Sequence, residues 1–277
     1  MIIWLASYPK SGNTWVKFFL KSYFSSTNKE LSLKTHIDDE FKIETFPSLN
    51  LLKENKIDYL KFENIIKNWI NLQDFLNLNK KINFLKTHNA MCTINGHAFT
   101  DLKNTIGAIY IVRDPRDIIL SYANHFQVDH ETALKHMMDS KNGEYKNDGS
   151  NNYHRSLMGS WSDNYNSWKN YKGRELIIVK YEDLINNTFA SFSRIVNYLN
   201  KINKTPFDEN KIKISINKSS FENLRKLEEE EGFEEKGKGL FFFRKGKIGV
   251  WKQDLNKNLI REIENKFGKE MRELGYI

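Results

Sequence analysis

The sequence predicts an α/β fold in one domain, a central parallel β-sheet flanked by helices. Two observations carry this. Four short apolar runs rich in β-branched residues, at 2–6, 82–85, 108–112 and 176–179, look like buried parallel strands. Helical spacing at 14–23, 61–76, 115–126, 159–171, 188–199 and 255–274 alternates with them, the pattern of a parallel sheet covered on both faces. A length of 277 residues suits one large domain with a sizeable core.

Composition narrows the class without naming a function. The formal charge is +8 with 28% charged residues. That excess attracts anions, although lysine- and asparagine-rich stretches such as "NLNKKIN" read mostly as solvated surface. The single cysteine, Cys92, excludes an intramolecular disulfide and a cysteine-based metal cluster, and fits a reducing compartment. The apolar start is too short for a signal peptide or anchor, and no segment approaches the roughly 18 apolar residues of a span. A cytoplasmic protein is expected.

The first run leads directly into "SYPKSGNTWVK", residues 7–17. Ligands of open parallel sheets bind beyond the carboxyl ends of strands, where loops enter helix N-termini. A helix starting near Asn13 or Thr14 presents free N–H groups and the positive end of its dipole to an anion. Gly12 permits close backbone approach, Ser11 and Thr14 add hydroxyls, and Lys10 adds a charge. These features describe a phosphate or sulfate cradle. The same residues also make an ordinary strand-to-helix turn with an N-cap, Lys10 being solvated. A Walker A loop is excluded, because the lysine precedes the only glycine.

The third run repeats the arrangement in "IYIVRDPRDIILSYANHF", residues 109–126: a strand, Arg113 at its carboxyl end, and Pro115 opening a helix. Ser121 falls in the second turn of that helix, within reach of a group held by Arg113; an ion pair of Arg113 with Asp117 is the plainer account. The fourth run ends in "KYEDL", and "FFFRKGKIGVWK", residues 241–252, sets Arg244 and Lys245 before Gly246. A guanidinium fork and an ammonium on a glycine-bearing loop suit a phosphate dianion, so two anion sites are implied. Residues 138–153 and 228–249, rich in Asn, Gly, Ser and charges, are expected to be loops, the first a lid or a disordered stretch.

These segments together resemble the sulfotransferases that use 3′-phosphoadenosine 5′-phosphosulfate (PAPS), of the cytosolic type. "YPKSGNTW" resembles their 5′-phosphosulfate loop, "RDPRDIILSY" their 3′-phosphate segment, and "RKGKIGVWK" their C-terminal signature. The resemblance runs from residue 8 to residue 252 and implies a P-loop-NTPase-like nucleotide-binding core. It implies that Lys10, Ser11, Gly12, Asn13 and Thr14 hold the 5′-phosphosulfate end. Arg113, Ser121, Arg244, Lys245 and Gly246 would hold the 3′-phosphate. Trp15 and Phe221 would flank the adenine, with Tyr181 near its edge, although both flanking rings also read as core aromatics. The cofactor core would comprise residues 1–24, 81–126 and 174–252, leaving 25–80 and 127–160 for the acceptor pocket and its lid.

"FLKTHNA", residues 84–90, resembles the family's K-T-H segment and makes His88 the expected base, with His125 in reserve. A histidine pKa near 6.5 suits proton acceptance at neutral pH. Lys86 and Lys10 would stabilise charge developing in an in-line sulfonate transfer, and Ser121 would restrain Lys10 until acceptor binds. No metal is implied. The acceptor, a small molecule or carbohydrate, is expected to offer a hydroxyl; neither nucleic acid nor a membrane anchor is expected as partner. Two departures stand out: Val250 replaces the acid common before the signature's W-K, and the animal dimerisation motif is not recognisable, so oligomeric state does not carry over. An ATP phosphotransferase would leave the second basic cluster unpaired, and a polyanion-binding module would stripe its basic residues rather than scatter them.

Overall fold

The computed structural model describes residues 1–26, 29–34, 39–173, 175–237 and 241–277. Parts of the expected acceptor segment (27–28 and 35–38) and of the C-terminal loop (238–240) lie outside the described residues. The chain forms two compact units, one of Met1–Tyr8, Ile43–Ile111 and His136–Ile178, the other of Pro9–Lys42, Val112–Lys135 and Val179–Ile277.

The first unit is built on the sheet. Its strands are β1 (Ile2–Ser7), β2 (Ile43–Thr45), β3 (Asn83–Thr87), β4 (Thr93–Ile94), β5 (His97–Ala98), β6 (Thr105–Val112), β7 (Gly143–Asn147), β8 (Asn152–Leu157) and β9 (Glu175–Lys180). Five of them form one sheet in the order β2-β3-β1-β6-β9. The pairings of β1 with β3, β1 with β6 and β2 with β3 are parallel. All six residues of β1 are buried, as a strand covered on both faces requires. Strand order reverses about β1, so its carboxyl end is the switch point where such sheets bind ligands. Register sets Leu5 against Lys86 and Ala6 against Thr87, bringing the ends of β1 and β3 side by side.

An aromatic core holds this sheet. Trp4 lies against Phe46 and Phe99 at 5.4 and 4.9 Å between centroids, and Phe99 packs on Trp69 at 5.4 Å. Two buried polar groups of this core are paired: Trp4 Nε1 donates to Thr105 Oγ1 (2.7 Å) and Tyr110 OH donates to Asn164 Oδ1 (2.9 Å).

Two expectations need correction here. The single helix expected over 61–76 is two, Phe62–Lys67 and Trp69–Asn77, because Asn68 leaves helical geometry at ψ 4°. The loop expected over 138–153 is largely the antiparallel hairpin β7–β8. Its Asn-, Gly- and Ser-rich composition reads as irregular, yet its backbone pairs from Gly143 against Leu157 to Asn147 against Asn152, and Tyr153 and Ser156 are buried.

The second unit is helical. The helix Asn13–Phe24 buries Phe18 in a cluster with Leu31, Leu33, Leu224 and Phe243, and Phe19 stacks on Phe192 at 4.0 Å. Pro115 starts the helix Pro115–Phe126, capped by Asp114, whose side chain accepts from Arg116 N. The helices Thr188–Asn203, Glu209–Lys218, Phe221–Glu231 and Lys257–Glu273 complete most of the remainder.

Candidate active site

The residues expected at the site fall into two groups, one in each unit. In the helical unit, the loop after β1 enters the helix Asn13–Phe24 through Gly12 at φ 104°, and no side chain caps that helix. The plain N-capped turn is therefore not what forms. Gly12 cannot be replaced freely, since a Cβ there would stand 2.4 Å from Tyr181 Cδ2. Ser11, Asn13 and Thr14 are all buried.

Around this loop the buried polar atoms without a hydrogen-bond partner among the described residues include Ser11 Oγ, Trp15 Nε1 and Arg113 Nε. A buried donor with no acceptor costs on the order of 1–3 kcal/mol, so three such groups in one place call for an explanation. Arg113 is otherwise fixed. Its Nη1 donates to Lys10 O (3.3 Å), its Nη2 to Lys247 O (3.0 Å), and its guanidinium lies 4.4 Å from the Tyr181 ring centroid. Burial pushes the Tyr181 phenol above its ordinary pKa, so the ring stays neutral. Trp15 meets Tyr181 and Phe192 edge-on.

The C-terminal segment joins the same unit. Gly246, at φ 59°, packs where a Cβ would come 2.4 Å from Phe221 Cδ2, so Phe221 lies beneath the signature glycine. Arg244 and Lys245 are exposed, and Lys245 Nζ is paired with Asp254 at 2.6 Å. The Arg113–Asp117 ion pair weighed from the sequence is not made. Asp117, buried, accepts instead from Gly249 N (2.6 Å) and Trp251 N (3.1 Å). Arg116 stacks on the Trp251 ring at 3.8 Å while bonding Asp114, Glu264 and the Tyr276 carbonyl. The Ser121 side chain makes no hydrogen bond among the described residues, and Lys10 Nζ lies 3.4 Å from His125 Nδ1 and 3.7 Å from the Phe242 ring centroid.

In the sheet unit, β3 delivers Lys86 and Thr87, both buried, and then His88, partly buried. His88 Nδ1 lies 2.8 Å from Ser7 O. A carbonyl only accepts, so Nδ1 carries the hydrogen and Nε2 keeps its lone pair. The His88 carbonyl accepts from Asn164 Nδ2 (2.9 Å), which fixes the backbone as well. Burial, then the Lys86 charge, push the imidazole pKa down to about 4. It is a free base at neutral pH.

A family model described as "Sulfotransferase domain" matches residues 2–275. The chain belongs to the sulfotransferase family. Flavonol 4′-sulfotransferase of Flaveria chlorifolia is 26% identical over 286 residues, spanning 99% of this sulfotransferase and 80% of that relative. Cytosolic sulfotransferase 16 of Arabidopsis thaliana is 23% identical over 286 residues, with 99% and 77% covered. Among solved structures, mouse sulfotransferase SULT7A1 complexed with PAP matches at a TM-score of 0.60 with 18% identity, covering 98% of this chain and 83% of that one. Retinol dehydratase in complex with androsterone and inactive cofactor PAP matches at 0.57 with 16% identity, covering 98% and 80%. The expected α/β class with a central parallel sheet and helices is the fold of these sulfotransferases.

Within this sulfotransferase, motif reading singled out the loop, Arg113, Phe221 and His88, but not the groups that contact the segments around them. The Ser7 carbonyl is a main-chain atom with no side-chain signal. Asp117 was visible as an acid in the motif, yet its partners lie 132 and 134 residues away. Glu144 sat in the stretch 138–153 read as loop, and Arg155 just beyond it.

Proposed function

We propose that this sulfotransferase moves the sulfonate group of PAPS to a hydroxyl of a small-molecule or carbohydrate acceptor, with His88 as general base, releasing adenosine 3′,5′-bisphosphate. The observation that carries the reading is the trio of buried, unpartnered polar atoms, Ser11 Oγ, Trp15 Nε1 and Arg113 Nε, gathered around one uncapped helix N-terminus. They fit an anionic nucleotide: two donors and a hydroxyl, beside N–H groups and a helix dipole of the right sign. The PAP held by the mouse relative supports the choice of nucleotide.

When bound, PAPS supplies an activated sulfonate whose leaving group is a phosphate. In this reading Lys10, Ser11, Gly12, Asn13 and Thr14 bind the 5′ end. Arg113, with Ser121, Arg244, Lys245 and Gly246, binds the 3′-phosphate. Arg113 is the best supported of these, being fixed at three points with Nε to spare. Lys245 would have to exchange Asp254 for the phosphate. Trp15 and Phe221 flank the adenine and Tyr181 lies near its edge.

His88 Nε2 takes the acceptor's proton, since Nδ1 is committed to Ser7 O. Lys10 and Lys86 stabilise the charge that develops in the transfer, and positioning with electrostatics does most of the work, as in phosphoryl transfer. Acceptor recognition falls to segments 25–80 and 127–160. Relatives named for a flavonol or solved with androsterone support a small acceptor, and cytosolic relatives support a cytoplasmic setting. Among the described residues, no helix is long and apolar enough to cross a membrane.

Thermal unfolding with adenosine 3′,5′-bisphosphate, with ADP and with no nucleotide tests the reading. At about 100 times the dissociation constant a ligand stabilises the fold by ~2.7 kcal/mol. A clear upward shift with the bisphosphate alone is expected, and equal shifts with ADP, or none, would defeat the claim.

A further inference from the structure

The hairpin β7–β8 is bolted to the segment that carries His88. Ala90 N donates to Leu157 O (2.8 Å) and Leu157 N donates to Asn89 Oδ1 (2.8 Å), one and two residues beyond the histidine. At the hairpin's base, Asn142 Nδ2 donates to Tyr8 OH (3.1 Å), one residue beyond Ser7.

Glu144 and Arg155 face one another across this hairpin. Arg155 Nε lies 3.2 Å from Glu144 Oε2 and Nη2 lies 2.5 Å from Oε1, a two-pronged fork with both side chains at 15% exposure or less. Ser156 Oγ donates to Oε2 as well (3.2 Å), and Lys146 Nζ stands 3.5 Å from Oε1. Such an elaborate grip on a carboxylate is unusual for a surface hairpin, and its charge reaches beyond the hairpin. Glu144 and His88 each register the other's field, as do Arg155 and Lys86 at His88.

The reaction poses an electrostatic problem at this place. A base that accepts a proton becomes an imidazolium, here partly buried and close to the buried ammonium of Lys86. Burial and Lys86 both oppose that product, so a nearby anion is needed to offset them. Burial alone would push the Glu144 carboxyl up, but Arg155, Lys146 and His88 together hold it well below the ordinary range, so it is ionised. Tyr153 and His154 are the other titratable groups that feel it.

We propose that Glu144 is a positioning residue for the base: clamped by Arg155 and Ser156, it supplies the counter-charge that stabilises the His88 imidazolium as the acceptor's proton is taken. The proposal rests on His88 being the base.

A double-mutant cycle separates this role from a structural one. Turnover of PAPS with an accepted hydroxyl compound, and the melting shift with adenosine 3′,5′-bisphosphate, are measured for the wild type, Glu144→Gln, His88→Ala and the combination. Glu144→Gln is expected to lower kcat about tenfold, short of the roughly 10²–10⁴-fold that a general base itself contributes, with the bisphosphate shift intact. In the His88→Ala background the same change is expected to cost nothing further. A proportional loss in both backgrounds, or none in the wild type, overturns the proposal. Because Glu144→Gln strands one arm of Arg155, Glu144→Gln with Arg155→Gln is carried through the same cycle and read by the same outcomes should the single variant fail to fold. Near-normal turnover of His88→Ala would instead remove the base assignment itself.

Discussion

His88 donates its Nδ1 hydrogen to the carbonyl of Ser7, 2.8 Å away, across the two neighbouring strand ends β1 and β3. The tautomer and ring orientation of the expected base are thereby set by main chain, and only Nε2 remains basic.

The first prediction concerns pH. His88 has a folded pKa lowered to about 4, below the ordinary value of 6.5, so the unfolded chain binds this proton more readily. Its contribution to stability is unaffected above 6.5, falls as pH drops from 6.5 to 4, and levels off below. Replacing it by asparagine should flatten the decline of melting temperature over that window. An identical pH dependence in His88→Asn would contradict the shift.

Gly12 supplies the second. A left-handed, non-glycine residue costs about 1–3 kcal/mol of strain. At φ 104° a Cβ also strikes the Tyr181 ring at 2.4 Å, a partner fixed under Arg113. Gly12→Ala should lower the melting temperature and abolish the bisphosphate-induced shift, whereas Gly149→Ala, at similar φ but with open space around it, should spare the nucleotide response. Retention of the full shift in Gly12→Ala would refute the cradle geometry.

Glu235 furnishes a third, with an unusual sign. Its carboxylate accepts from Thr14 Oγ1 at 3.1 Å while paired with Lys17 at 3.0 Å. A nucleotide phosphate at Thr14 meets this negative charge. Glu235→Gln should tighten binding of adenosine 3′,5′-bisphosphate by about threefold or more, the scale of a partly screened charge, as read by titration calorimetry. An unchanged or weakened affinity would show that Glu235 does not contest the anion.

Asp117 provides the fourth. Hydrogen bonds to a charged acceptor are worth about 1.5–3 kcal/mol each, and Asp117 holds both Gly249 N and Trp251 N. Asp117→Ala should lower the melting point by several degrees, at about 2–4 °C per kcal/mol, and alter Trp251 fluorescence. A silent substitution would mean that the C-terminal signature is held by other contacts.

Much of this was legible from residue types. The runs at 2–6 and 108–112 became β1 and β6 because continuous apolar stretches leave a chain few alternatives to burial in a sheet, and Pro115 marked its helix to the residue. The loop, Arg113 and His88 were legible as motifs. The hairpin was not, since its residues are of turn-forming types and its strands are set by backbone pairing rather than by an apolar alternation. Nor was the helix break at Asn68, because the apolar spacing on either side runs through it. Contacts such as Asp117 with Trp251 are set by tertiary placement, which local periodicity does not encode.

That last contact also fixes an order of events. Asp117 and its helix leave the ribosome long before residues 249 and 251 exist, and only the arrival of the latter completes the grip. A nascent chain of half length already holds the loop 7–17 and Arg113, yet lacks the partner backbone for Asp117. By this geometry, the C-terminal signature is seated late in synthesis, as expected when a contact joins residues far apart in sequence.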